Sequence, residues 1–236
     1  MIGKLLILTV LISSLFVSTE DGTLAVARKA RDRGDTEAMR KVISATEARA
    51  AETSKFEDYI RLALLEDWMC EALEANNKQN LVKETAESGV AAAEKAVRLN
   101  PNSSQAHQLL ADLLGQLAPN VMGGGMKYGQ RSTDEADKAI ALDPKNPDAY
   151  ITRGISYLYT PEAFGGNKPK AFEFFNKAVQ LDPQMDTARI WLALYHLDAE
   201  KFDEALREIN EALRLNPDRV FARFVSDQIK AGKKSN

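Results

Sequence analysis

Four short phrases in this sequence are near copies of one another. They are Ala96-Val97-Arg98-Leu99-Asn100-Pro101, Ala139-Ile140-Ala141-Leu142-Asp143-Pro144, Ala178-Val179-Gln180-Leu181-Asp182-Pro183 and Ala212-Leu213-Arg214-Leu215-Asn216-Pro217. Each opens on alanine and closes on an Asp-Pro or Asn-Pro step. A residue before proline is pushed out of the α region, so each phrase reads as the last turn of a helix and its stop. A short helical unit that recurs cannot bury its apolar face alone and must stack on its copies. These phrases therefore constrain the chain to an array of helices.

Other residues recur at matching offsets between the phrases. From Pro147, Tyr150 and Tyr157 take two aromatic slots, Gly154 a small slot, and Ala171 and Phe175 the second helix. From Asp186, Ala193, Ala205, Ile209 and Ala212 fill the corresponding places, and a unit from Ser104 offers Ala111 and Ala139. Small residues let two helices approach closely, and the aromatic and branched ones fill the space between units. This pattern resembles the tetratricopeptide repeat, a helix-turn-helix unit of about 34 residues. The expected fold is all-α: a solenoid of antiparallel helix pairs, with regular units at 104–146, 147–185 and 186–219. Residues 22–103 read as degenerate helical repeats and 220–236 as a capping helix and tail, with Phe221, Phe224 and Val225 turned inward.

Two units are longer than the standard at the same place. One turn reads Pro119-Asn120-Val121-Met122-Gly123-Gly124 and the other Pro161-Glu162-Ala163-Phe164-Gly165-Gly166. Proline is expected to end the first helix, the glycines to supply backbone freedom, and Met122 and Phe164 to tuck against the repeat core. With the N-terminal segment described next, these turns resemble those of the T component of bacterial periplasmic TRAP transporters. That resemblance implies a helical periplasmic protein that partners a substrate-binding subunit and handles an apolar small ligand.

Residues 1–19 read as a signal peptide: Lys4 supplies the positive charge, residues 5–17 an apolar run, and Ser18 and Thr19 the small residues before Glu20 and Asp21. The run is shorter than the roughly 20 residues of a spanning helix. Export to the periplasm or medium is expected, with an uncleaved N-terminal membrane anchor as the alternative. Cys70 is the single cysteine, so no intramolecular disulfide forms, and its place beside Trp68 and Met69 reads as a small buried hydrophobe.

Chemistry is sparse. The net charge of −3 comes from interspersed signs, without the basic face expected of a nucleic-acid binder. His107 and His196 sit in different units and read as packed or half-exposed repeat residues. Glu66-Asp67, Asp134-Glu135-Asp137 and Asp203-Glu204 read as solvated faces or first-turn acids, and Ser132 with Glu135 as a capping box. No catalytic residue, metal ligand or cofactor is expected, and the chain reads as a binding protein and not an enzyme.

Function is expected on the concave surface lined by the first helix of each unit. By register, that surface carries Gln108 and Asp112, then Ile151, Ile155 and Tyr159, then Trp191, Leu194 and Asp198. A protein partner is the expected occupant and an apolar ligand the alternative. An accessory role to an exported enzyme, with a site at the expanded turns, is a third reading.

Overall fold

The Asp-Pro and Asn-Pro steps stop their helices through one backbone geometry. In the computed structural model, which describes residues 22–235, Asn100, Asp143, Asp182 and Asn216 have φ of −140°, −141°, −137° and −137° and ψ between 87° and 96°. Each carbonyl accepts a backbone N–H three residues on, and the side chains of Asn100, Asp143 and Asp182 accept one two residues on. The acid or amide thus closes the turn that proline opens. The next helix begins at once, capped by Ser103 Oγ in one unit and Asn146 Oδ1 in the next.

Among the described residues the chain forms eleven α-helices and no strand. They are α1 (Gly22–Asp32), α2 (Thr36–Thr53), α3 (Phe56–Ala75), α4 (Val82–Leu99), α5 (Ser104–Asn120), α6 (Gln130–Leu142), α7 (Pro147–Tyr159), α8 (Lys168–Leu181), α9 (Asp186–Asp198), α10 (Phe202–Leu215) and α11 (Val220–Ser235). Odd-numbered helices open the units and even-numbered ones return. The signal segment expected at 1–19 lies outside the described residues. None of the described helices is long and apolar enough to cross a membrane.

Alanines at the phrase openings, Ala96, Ala139, Ala178 and Ala212, are fully buried, as are Ala111, Ala171, Ala193 and Ala205. Phe175 and Ile209 are equally buried between the helices they join. Cys70 is buried in the N-terminal core beside Trp68 and Met69. Val225 is buried in the C-terminal core, with Phe221 and Phe224 partly buried against it.

The expanded turns differ from expectation in part: α7 does stop just ahead of Pro161, at Tyr159. Pro119 does not end α5, which runs on to Asn120, and residues 125–129 form a π turn that feeds α6. Gly123 and Gly165 take positive φ, 74° and 97°. A Cβ on Gly124 would lie 2.6 Å from Ala118 O, and one on Gly166 would lie 1.7 Å from Thr160 O. The second glycine of each pair therefore lets the turn fold back onto the helix end. That return aims the preceding apolar residue outward: Met122 is fully exposed and Phe164 is 78% exposed, not tucked against the core.

Two further expectations are corrected. Ser132 is no cap. It lies inside α6, buried, and donates to Ala111 O at 2.7 Å, because the π turn moves the start of the helix upstream. Glu66 is not solvated: it is 7% exposed and accepts from Ser88 at 2.7 Å, while Asp67 is partly buried and faces other carboxylates.

The stack also closes on itself. Helix α11 packs on α9 as the next unit of a solenoid would, and it also reaches α3 and α1 at the opposite end of the chain. The opening helices α1, α3, α5, α7, α9 and α11 therefore surround an inner space, with the returning helices outside.

Candidate functional site

Three opening helices each send a carboxylate inward: Asp67 from α3, Asp112 from α5 and Asp148 from α7. All are partly buried, and each senses at least one of the others or is sensed by it. Burial, and then repulsion by Asp112, Glu71 and Asp148, pushes the Asp67 carboxyl well above its usual range. Burial raises Asp112 to about 7, against the hydrogen bonds from Thr152 and Gln108. Burial and Asp182 raise Asp148 to about 6, against the pull of Arg31 and Arg219. Charged groups pulled out of water favour their neutral forms, so part of this inner wall holds protons near neutral pH.

At one mouth of the ring the lining changes. Tyr159, at the C-terminal end of α7, is 58% exposed and stands edge-on to Trp191 of α9, ring centroids 6.3 Å apart. Trp191 in turn stacks on Phe175, centroids 6.2 Å apart, which fixes its orientation. Partial burial, and then the carboxylates of Asp198 and Glu74, raise the Tyr159 hydroxyl. Asp198 keeps solvent contact and accepts from Lys168 Nζ at 2.6 Å. Burial, with Glu71 nearby, raises Glu74 to about 7.

The residues assigned to this surface by register divide. Ile155, Tyr159, Trp191, Leu194 and Asp198 keep solvent contact. Ile151 does not: at 4% exposed it belongs to the core with Ala188 and Leu192 of α9. Gln108 is likewise covered, 6% exposed, with its amide donating to Asp112. Helix α9 packs over Ile151, and Gln108 turns its amide to Asp112 on its own helix. Asp112 faces the inner space, on the carboxylate wall away from the aromatic mouth.

Packing takes up His107, while His196 of α9 is partly exposed and meets the rings of Phe172 and Tyr195. His107 is buried in α5, with Nδ1 2.5 Å from Glu135 of α6 and Nε2 3.0 Å from Pro101 O, which joins the two helices of its unit. Among the described residues no group of His, Cys, Asp and Glu is placed to hold a metal ion.

Sequence reasoning missed Arg219. It precedes α11, is 1% exposed, and meets Glu71 of α3 and Asp186 of α9 at 2.6 and 2.9 Å. The convergence of Asp67, Asp112 and Asp148 was missed too. They occupy different positions along their helices, so no spacing in the sequence marks them.

Comparison with known proteins agrees with this architecture. Residues 24–160 match the model of the family described as regulator of microtubule dynamics protein 1-3, and residues 166–225 match a tetratricopeptide-repeat model. Regulator of microtubule dynamics protein 3 of Bos taurus is 30% identical over 66% of this chain. Human protein O-mannosyl-transferase TMTC3 is 33% identical over 56% of it. The matches span only 36% and 13% of those two proteins' own lengths. The crystal structure of a thermophilic tetratricopeptide-repeat protein from Thermus thermophilus covers 90% of this chain and 98% of its own. Its TM-score is 0.62 at 17% identity, a likeness of fold.

Proposed function

The chain belongs to the regulator of microtubule dynamics protein 1-3 family and is built of tetratricopeptide repeats, and from that premise we propose that it is a non-catalytic scaffold binding a protein partner at the aromatic mouth of its inner groove. The observation that carries this reading is the exposed ring of Tyr159, held edge-on against a buttressed Trp191. Large rigid rings offer contact area at low entropic cost and dominate binding energies where they cluster. Ile155 and Leu194 extend the apolar area, and Glu74 and Asp198 border it with acidic groups.

A scaffold role also accounts for the fate of the reactive side chains. His107 is spent on joining two helices, Cys70 on the core, and Glu66 on Ser88. We further propose that residues 1–19 direct export, on the layout of charge, apolar run and small residues.

The test is affinity capture from the native host with the parent chain and Tyr159→Ala. The exposed ring contributes little to the fold, so the variant should melt within a degree or two of the parent, as surface changes within about 0.5 kcal/mol do. The captured protein should be lost. Equal capture by a folded variant would place the binding surface elsewhere.

A further inference from the structure

The seam between the two ends of the chain is narrow and chemically specific. Arg219 donates to Glu71 through Nε at 2.8 Å and Nη2 at 2.6 Å, a two-pronged pair across 148 residues of sequence. Asn216 Nδ2 donates to Asp32 at 3.1 Å, and Arg33 lies 3.6 Å from Asp218 at the exposed rim. Val220 packs against Gly34, where an added Cβ would come within 3.3 Å of Val220 Cγ1. Arg219 and Asn216 also bond Asp186 at 2.9 and 3.1 Å, and Arg219 reaches Thr187 at 3.3 Å. These last bonds stay within the C-terminal units.

Arg219 therefore has two kinds of partner. Asp186 and Thr187 hold it to α9, next to its own helix and within the C-terminal units. Glu71 and Asp32, which lies 4.0 Å from the guanidinium, belong to the other end of the chain. Burial alone would pull the guanidinium's pKa down, but Glu71 and Asp186 outweigh it and hold the group above its ordinary range. Separating the ends leaves the charge compensated by Asp186, so the seam can open without stranding a buried cation, the costly outcome when an ion pair is broken.

We propose that the pairing of Arg219 with Glu71 is a clasp that holds the ring shut and controls access to the inner wall of Asp67, Asp112 and Asp148. In a closed ring the wall is reached through its mouths. With the clasp undone, α11 swings from α3 and the wall is open along the seam. That this admits a partner rests on the groove reading above; the clasp itself is tested without a partner.

The experiment compares the parent with Glu71→Ala and Glu71→Gln, each with the local Arg219–Asp186 pair intact. Small-angle X-ray scattering reads ring closure. Labelling with a water-soluble carbodiimide and glycinamide at one fixed pH, followed by mass spectrometry, reads access to Asp112 and Asp148, with exposed Glu57 as reference; Asp67 is left out because Glu71 itself raises its carboxyl. Both variants should melt cooperatively. Glu71→Ala should show a larger radius of gyration and several-fold faster labelling of Asp112 and Asp148, Glu71→Gln a smaller change in the same direction, and Glu57 no change. Parent-like scattering in a folded Glu71→Ala would show that other contacts keep the seam closed and would overturn the clasp. Expansion without faster labelling would overturn its control of access. Loss of folding in both variants would show that the pair is part of the fold and not a separable clasp. If both clasp readouts move while Tyr159→Ala captures as well as the parent, the clasp stands and the partner site alone falls.

Discussion

Gly154 of α7 lies against the ring of Phe175 in α8, so close that a Cβ on the glycine would stand 2.5 Å from Phe175 Cε1. The small slot of the repeat is thus a contact between backbone and ring, and the fully buried Phe175 has no room to retreat. Gly154→Leu should lower stability by about 1–3 kcal/mol, the usual cost of overpacking. Thermal unfolding followed by circular dichroism checks this. A parent-like melting temperature would mean that α7 and α8 do not pack in this register.

The two halves of the Gly-Gly turns should respond in opposite ways. Met122→Ser and Phe164→Ser change exposed side chains and should shift stability by no more than about 0.5 kcal/mol. Gly166→Ala puts a Cβ 1.7 Å from Thr160 O and should cost well over that. Chemical denaturation of the three variants measures it, and a destabilised Phe164→Ser would return that ring to the core.

Stability should fall as pH rises toward neutrality. Asp112 and Asp148 have folded values of about 7 and about 6 against an ordinary 3.8, so the folded state holds more protons between those limits. Their contribution is complete below the unfolded value and is lost as pH climbs through the folded one. Glu66 and Glu74, raised to about 7 mainly by burial, add to it. His196, which burial pushes down, opposes the trend only toward the acid end. The melting temperature should be several degrees higher at pH 5.5 than at pH 8, at roughly 2–4 °C per kcal/mol for a chain of this size. Asp112→Asn should flatten part of the slope, and a flat profile in the parent would contradict the crowding of carboxylates in the ring.

Export has its own check. Mass spectrometry of the protein from its native host should find a mature N-terminus at about residues 18–23, the end of the signal layout. Intact Met1 in a membrane fraction would instead favour the anchor.

Local rules carried most of the fold. The Asp-Pro stops, the buried alanines and the Gly154–Phe175 contact follow from sequence, because helix ends and small slots are decided within one unit. What was not legible depends on how units curve. Arg219 looks like any residue between a helix stop and a helix start until α3 is brought beside it. Ile151 and Gln108 sit at concave positions by register, yet α9 packs over the first and the second is turned to Asp112 of its own helix. Met122 and Phe164 look like core residues by composition, but the glycine return behind them decides their direction. Tyr159 and Asp198 stay accessible because they are the last residues of α7 and α9, whereas Trp191 lies mid-helix and keeps only partial exposure.

The central claim is that a partner is held at the Tyr159 mouth. Hydrogen exchange of the parent chain, free and bound to the protein it captures, tests it most directly. New protection should concentrate on α7 and α9, around Ile155, Tyr159, Trp191 and Leu194. Protection confined to the outer helices α6, α8 and α10, or to the turns bearing Met122 and Phe164, would contradict it.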